Sequence, residues 1–390
     1  QARSRYVQLA DRASRLYAPV VHVTAALTMV GWVALGASWH DAIVTAIAVL
    51  IITCPCALGL AIPAVQTVVA GAMFRAGVLI NSGDAIERVS DVDTVVFDKT
   101  GTLTLPELDV VNAQSIPADV FALAGRLALA SHHPVAAAVA RAAGAKAPLP
   151  GAVEEPGRGV RPMVDGVEVR LGSPSFCDAG GLANEILSRD PEVSVVAFRR
   201  GAECHVFAVR QQLRPDAVAA VAALKQRGIV VELLSGDREP AVRHAAQTLG
   251  VGIWRAGVTP AEKIARIEEL KRQGRKVMMV GDGMNDAPSL AAASVSMSPV
   301  SATHLSQATA DLVFLGKELS PVVAAIDYSR KAVALMKQNI WLAVGYNALA
   351  VPVAIVGLAT PLIAAAAMSG SSVLVMLNAL RARRAGQEVR

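Results

Sequence analysis

Asp98 closes a largely apolar run, Val92 to Phe97, and opens the string Asp98-Lys99-Thr100-Gly101-Thr102-Leu103-Thr104. Such a run reads as a buried strand, and a carboxylate held at its end is a nucleophile able to take a phosphoryl group from ATP. Two further runs end at residues of catalytic type: Ile229 to Leu234 before Ser235-Gly236-Asp237, and Lys276 to Val280 before Gly281-Asp282. A different chemistry is offered by Cys54-Pro55-Cys56, inside a long apolar block. Residues two apart on a regular helix point about 200° away from each other. Pro55 removes a backbone hydrogen bond and clashes with the Ile51 carbonyl, so the helix is expected to open and let both thiolates turn toward one ion. Paired thiolates suit Cu(I) or Zn(II) better than Mg2+, Ca2+ or K+.

These groups have to be positioned partly in lipid. The chain has 390 residues, 53% of them hydrophobic, which is too apolar for an ordinary soluble protein. Leu16 to His40, Ala42 to Phe74 and Gln338 to Leu380 hold no Asp, Glu, Lys or Arg, and a spanning helix needs only about 20 apolar residues. The third block is long enough for two passes. With turns at Ser38-Trp39-His40-Asp41 and Gly357-Leu358-Ala359-Thr360-Pro361, four transmembrane helices in two hairpins are expected.

Basic residues lie on one side of this arrangement: Arg3, Arg5, Arg12, Arg15, Arg75, Arg88, Arg330, Lys331, Lys337, Arg381, Arg383 and Arg384. The bias places both termini and the large middle segment in the cytoplasm. It also accounts for most of the net charge of +5 without a nucleic-acid partner. Four cysteines, Cys54, Cys56, Cys177 and Cys204, are too few and scattered for a disulfide framework, which fits a reducing compartment.

In the middle segment the three strand-like runs alternate with helix-like stretches. Pro215 to Arg227, Pro240 to Leu249 and Pro260 to Gln273 each have Pro near the start and Gly just beyond the end. Alternation of this kind predicts a doubly wound sheet, with Asp98, Ser235 and Asp282 at the carboxyl ends where ligands bind. Residues 106–212 interrupt the pattern with an Ala-rich helical stretch, Val120 to Lys146, and strand-like runs around Val164 to Leu171 and Val193 to Phe198. An inserted second domain is expected, carrying Ser131-His132-His133-Pro134 and Gly157-Arg158-Gly159.

The Asp98 string and Gly281-Asp282-Gly283-Met284-Asn285-Asp286-Ala287-Pro288 resemble the signatures of the P-type ATPases, and the chain from Leu16 onward resembles their heavy-metal branch. That resemblance implies a haloacid-dehalogenase-like doubly wound phosphorylation domain with an inserted α+β nucleotide-binding domain and four transmembrane α-helices. The expected boundaries are 1–88 for the first hairpin with its stalks, 89–105 and 213–330 for the phosphorylation domain, 106–212 for the nucleotide-binding domain and 331–390 for the second hairpin and tail. It implies an aspartyl-phosphate on Asp98, with Mg2+ held by Asp98, the Thr100 carbonyl and Asp282. Lys263 would offset phosphate charge, Ser235, Gly236 and Asp237 would complete the catalytic set, and Lys99, Thr102, Asn285 and Asp286 would support phosphate and Mg2+. Family members often have Thr where Ser235 stands, and either hydroxyl can donate the same bond. His133, Gly157 and Gly159 match the His-Pro and Gly-x-Gly of the family's nucleotide site.

For the cargo, no Asp, Glu, Lys or His occurs between Gln338 and Leu380, where a divalent ion would want further compensating charge. Met368 adds a soft thioether on the helix face of Ser372. Tyr346, Asn347, Met368 and Ser372 also match the copper-transporting P-type ATPases. Monovalent copper, with silver as a mimic, is therefore expected beside Cys54 and Cys56, exported from the cytoplasm of a bacterium across its inner membrane. Ala64-Val65-Gln66, the Ala128 to Pro134 stretch and Asn378-Ala379-Leu380-Arg381 resemble the branch supplying copper for cbb3-type cytochrome oxidase. That branch implies a cytoplasmic copper carrier and oxidase assembly proteins as partners, alongside membrane lipid. General copper exporters carry acidic residues just upstream of His-Pro, where this chain has Ala128 and His132.

A Zn2+/Cd2+ exporter, a membrane-anchored phosphohydrolase using Asp98 and a metal-sensing scaffold are the competing readings. Gln1 is not an initiator methionine, and the Thr-Gly-Glu loop that hydrolyses the aspartyl-phosphate in such pumps does not occur. The polypeptide is thus expected to be a fragment that binds nucleotide and is by itself incomplete for turnover.

Overall fold

The computed structural model describes residues 5–54, 56–190, 193–282, 286–302, 307 and 309–384, with side chains from residue 19 to residue 383. It divides into two units: Gln1–Val96, Ala223–Val230 and Ile264–Arg390 form one, and Phe97–Ala222 with Val231–Lys263 form the other. Strands are numbered β1 to β14 along the described chain.

In the first unit β12 (Val277–Val280), β13 (Val295–Pro299) and β14 (Leu312–Phe314) run parallel, and β1 (Val78–Ile80) closes the row antiparallel to β14. Residues of β12, β13 and β14 are buried, as expected of parallel strands covered on both faces. Arg88 ties this row to the helix Ala85–Ser90. It reaches Asp84, the Ser294 carbonyl and Asp311, while Asp311 also accepts from the Ser296 amide.

The apolar blocks of the first unit are helical. Arg5–Ala34 and Trp39–Ile52 form a hairpin; the second is followed by short helices Cys56–Leu60 and Pro63–Arg75. Ser38 caps Trp39–Ile52 by accepting from the Asp41 amide. Within the second expected span the helix is interrupted at residues 53–54, where the sequence predicts an opening, and again at 61–62. The third apolar block is also longer than its uncharged core suggests, because one helix runs without a break from Ser320 to Ile355. Pro361–Leu380 returns beside it after Thr360 caps its first turn. Three described segments, Trp39–Arg75, Ser320–Ile355 and Pro361–Arg383, are long and apolar enough to cross a membrane. Of the first expected span, the described apolar part, Pro19–Ala34, is shorter.

Small residues let these helices approach closely: Ala25, Ala48, Ala354, Ala359 and Ala364 share one buried cluster with Val49 and Ile52. Trp32 donates across it to the Ile355 carbonyl at 2.9 Å. At the other end of the long helix, Asp327 takes both fork nitrogens of Arg227 at 2.6 and 2.7 Å. Arg330 donates to the carbonyls of Val92 and Arg227.

β2 (Thr94–Asp98) begins in the first unit and ends in the second, its five residues all buried. The second unit then holds an antiparallel sheet: β3 (Thr104–Val110), β9 (Glu203–Leu213), β8 (Ser194–Arg200), β7 (Val167–Gly172), β5 (Gly159–Arg161) and β4 (Val153–Glu155), with β6 (Met163–Val164) paired to β7. Helices Ala118–Ala128 and Pro134–Ala142 bury their apolar faces on this sheet, around Phe198, Phe207, Leu127 and Val139. The Ala-rich stretch is therefore two helices, broken where His-Pro stands. β9, the longest strand of this sheet, carries few period-2 signals and was not anticipated. Two parallel strands, β10 (Val230–Leu234) and β11 (Ile253–Arg255), complete the unit beside the helix Glu239–Leu249.

Candidate functional site

The second unit gathers most of the expected catalytic residues. β2 delivers Asp98 with 7% of its side chain exposed, and its Oδ1 lies 2.6 Å from Nζ of Lys263, itself 7% exposed. Lys263 stands in the first turn of the helix Pro260–Arg272, entered through Thr259, whose amide and hydroxyl both donate to Glu262 at 2.8 Å. The pair sets an ammonium directly against a carboxylate with both side chains withdrawn from solvent.

After Asp98 the backbone turns sharply. Gly101 has φ +69°, a conformation that favours glycine, and its amide donates to Thr104 Oγ1. Arg214, 2% exposed, holds this loop from a distant point in the sequence. Its Nε donates to the Thr102 carbonyl at 2.6 Å, a second nitrogen donates to the Gly101 carbonyl at 3.2 Å, and its amide donates to the Leu103 carbonyl at 2.8 Å. Burial pushes its guanidinium pKa down. The buried Thr102 hydroxyl has no hydrogen-bond partner, so the loop carries a polar group ready for an anionic ligand.

β10 ends just before Ser235, whose hydroxyl accepts from the Asp237 amide at 3.2 Å. Asp237 receives Lys99 Nζ at 2.7 Å and the Thr100 hydroxyl at 3.1 Å. Burial opposes its ionisation, but these two partners outweigh it and hold the carboxyl below the usual range. Sequence expectation had placed Asp237 among the catalytic groups; the structure also makes it a brace for the Asp98 loop.

A cavity of about 870 Å³ opens beside these residues, lined by Lys99, Gln211, Asp237, Arg238, His244 and His133 among others. That is the size of a nucleotide-scale pocket. Among the described residues its lining includes His133 but neither Gly157 nor Gly159. Gly157, at φ +75°, makes the turn between β4 and β5 with open space around it. Gly159 has a packing role that spacing did not reveal: a Cβ there would fall 2.6 Å from Gly172 Cα, 2.9 Å from the Phe176 ring and closer still to the Leu171 carbonyl. Gly172 meets the same obstacle from the facing strand, so the two glycines form one close antiparallel pair. Arg158 and Arg170 both lie over the Phe176 ring, at 5.0 and 5.7 Å.

In the first unit β12 ends at Val280, before Gly281 and Asp282. Asp286 is 2% exposed, and Gly281 makes room for it: a Cβ at Gly281 would meet Asp286 Oδ2 at 3.1 Å. Asn285 lies outside the described residues, as do Gly283, Met284 and Pro55.

Also in the first unit, Cys54 and Cys56 are joined as a disulfide. The pairing brings the two sulfurs together, and a soft cation would be bound there by the reduced pair of thiolates. Both sulfurs do face one another across the break between Ile52 and the helix Cys56–Leu60. Cys177 and Cys204 are free thiols; burial pushes Cys177 up to about 12. The helix Cys56–Leu60 packs through Ala57 and Leu58 on Ile340, Ala343 and Val375, one to two turns from Asn347 and Ser372 on the two long helices. Tyr346 packs on the Ala25–Ala364 cluster. Asn347 donates to the Ala343 carbonyl at 3.1 Å, and its buried Oδ1 has no hydrogen-bond partner. Ser372 donates to the Met368 carbonyl at 3.2 Å. A buried amide, Asn339, donates to the Ala61 carbonyl at 3.1 Å and accepts from Asn378 at 2.8 Å. It ties the end of the interrupted span to both long helices.

Comparison with known proteins agrees with this architecture. Residues 92–294 match the haloacid dehalogenase-like hydrolase family. The nitrogen fixation protein FixI of Bradyrhizobium diazoefficiens is 72% identical over 389 residues, covering 100% of this chain and 53% of that protein. A copper-exporting P-type ATPase of Mycobacterium tuberculosis is 38% identical, covering 97% of this chain and 51% of its own length. The chain thus spans about half the length of the curated relatives it matches. Among solved structures, a zinc-transporting PIB-type ATPase in the E2.Pi state superposes with a TM-score of 0.74 at 31% identity, over 97% of this chain and 66% of that one. A buried strand-end aspartate followed by a glycine turn, a lysine paired to it and the family match over residues 92–294 lead to one assignment: the chain belongs to the haloacid dehalogenase-like hydrolase family.

Proposed function

We propose that this chain is the phosphorylation, nucleotide-binding and second membrane part of an ATP-driven exporter of monovalent copper. The observation that carries the reading is the buried Asp98–Lys263 pair at 2.6 Å, which sets a cation beside the nucleophile where phosphoryl charge would gather. Asp98 attacks the γ-phosphorus of ATP; the new bond is carboxylate oxygen to phosphorus, the bridging P–O bond breaks, and ADP leaves with its electron pair. Lys263 offsets the negative charge gathered there, while Thr102 and the 235–236 turn offer donors to the phosphoryl oxygens. His133 and the cavity beside it receive the nucleotide.

The carboxylates of Asp98 and Asp282 and the Thr100 carbonyl are hard oxygen donors of the kind Mg2+ takes, with Lys99, Asn285 and Asp286 in support. When bound, Mg2+ neutralises phosphate charge. Water then hydrolyses the acyl phosphate, in a step that belongs to the whole pump.

Copper is assigned to reduced Cys54 and Cys56 together with Tyr346, Asn347, Met368 and Ser372. The unpartnered Asn347 oxygen supports a ligand there, and the lack of acidic side chains between Gln338 and Leu380 favours a monovalent over a divalent cargo. The likeness to a zinc-transporting ATPase keeps Zn2+ as the second reading. The basic flanks support a bacterial inner-membrane protein with its large loop and termini in the cytoplasm. A cytoplasmic copper carrier would deliver the ion, and oxidase assembly proteins are the proposed recipients of its export.

The test is labelling of the full-length protein with γ-labelled ATP, wild type against Asp98→Asn and Cys54→Ser/Cys56→Ser, under Cu(I), Zn(II) or chelator. Copper pumping requires a hydroxylamine-sensitive label that Cu(I) stimulates and both substitutions abolish. Labelling that ignores the cysteines would instead mark a membrane-anchored phosphohydrolase, and stimulation by Zn(II) alone would reassign the cargo.

A further inference from the structure

The two motifs expected to serve the nucleotide, the His-Pro loop and the Gly-x-Gly turn, are joined by a residue neither motif contains. Glu154 lies on β4, where it faces Val160 of β5 two residues before the hairpin turn that holds Gly157. Its Oε1 accepts from the Ser131 hydroxyl at 2.7 Å and from the His132 amide at 3.1 Å. Ser131 Oγ in turn accepts from the His133 amide at 3.2 Å. The loop so held sets His133 as the cap of the helix Pro134–Ala142, with Nδ1 accepting from the Val135 amide at 3.3 Å. A ring nitrogen that accepts carries no proton, so the geometry assigns the proton of the neutral ring to Nε2. Nε2 is then left as the donor on a ring that lines the cavity.

We propose that Glu154 is a positioning residue for nucleotide binding: through Ser131 and the His132 amide it fixes the loop that presents the His133 Nε2–H to the nucleotide. The strand pairing of β4 with β5 makes the same carboxylate a strut between the His-Pro loop and the Gly157 turn. The inference rests on the proposed placement of nucleotide at His133.

The experiment uses the full-length protein, measuring KM and kcat for ATP in the Cu(I)-stimulated reaction and direct binding of a non-hydrolysable ATP analogue. Glu154→Ala is expected to raise KM and the analogue Kd about fivefold or more, the low end of coupling between linked groups, with kcat held. Glu154→Gln, whose amide oxygen accepts the same two bonds, is expected to stay near wild type. In a His133→Ala background Glu154→Ala is expected to add nothing. A Glu154→Ala protein with wild-type KM beside an impaired His133→Ala overturns the proposal while sparing the nucleotide site. Failure of Glu154→Gln to rescue, or full additivity with His133→Ala, overturns it as well. Wild-type affinity in His133→Ala removes the underlying reading and the proposal with it.

Discussion

Replacing Arg214 with Met should unpin the loop that carries the nucleophile. The guanidinium donates to the carbonyls of Thr102 and Gly101, and hydrogen bonds from charged donors contribute about 1.5–3 kcal/mol each. Losing two of them costs about 3–6 kcal/mol. Against this, the variant no longer buries a charge, a burden that holds the Arg214 pKa down and offsets part of that loss. Methionine fills most of the volume, so a net loss of about 2–4 kcal/mol remains. At about 2–4 °C per kcal/mol for a domain of this size, thermal unfolding of the second unit should fall by roughly 5–15 °C. Arg214→Lys, with a charge but no fork, should lie between. Phosphoenzyme formation should drop further than stability does, measured well below the melting point, because Thr102 and Asp98 share the loaded loop. An Arg214→Met protein that melts within about 1 °C of wild type and labels at the wild-type rate would refute this account of the loop.

Gly159→Ala should destabilise the second unit strongly, since its Cβ would strike backbone atoms of the facing strand; Gly157→Ala should cost only the strain of its positive φ, about 1 kcal/mol, and paired melting curves would show whether the order holds. The Asp237 carboxyl has a folded-state pKa below its ordinary value of 3.8, so its stabilisation is complete above that value and disappears as pH falls through the folded pKa. The stability gap between wild type and Asp237→Asn should therefore be flat above about pH 5 and close on acidification, as denaturant midpoints across pH would report. Asn339→Leu leaves the Ala61 carbonyl unpaired and should weaken Cu(I) stimulation of labelling while ATP affinity stays constant, a helix-to-helix bond of this type contributing about 0.6–2 kcal/mol.

What could be read from the chain followed from local regularities. Asp98, Ser235 and Asp282 each follow a run of buried apolar residues, and the helices around Glu239–Leu249 and Pro260–Arg272 end at Gly250 and near Gly274 because Pro and Gly mark such ends. Arg214 escaped because its partners lie more than 100 residues away, and a single arginine before Pro215 has no periodic signature. Glu154 escaped for the same reason, its link to Ser131 spanning 23 positions. Gly159 drew attention as part of the Gly-x-Gly of a nucleotide site, whereas its need for glycine arises from its close antiparallel pairing with Gly172, which spacing cannot express. The uncharged block starts at Gln338, so Asp327, Arg330 and Lys331 fell outside it. They are instead the polar length of the same element, tethered by Arg227 and by carbonyls that only the folded chain brings near.

That unbroken helix has a mechanical consequence. Thirty-six residues at 1.5 Å each make a rod about 54 Å long. Bolted near its base through Asp327 and Arg330, it places Asn347 about 30 Å along the lever, so a tilt of only about 5° would shift that residue by roughly 2.6 Å. Displacements of that order exceed the radius of a bare metal ion, so a modest hinge at the base would suffice to make or break ligation at the metal site proposed around Asn347.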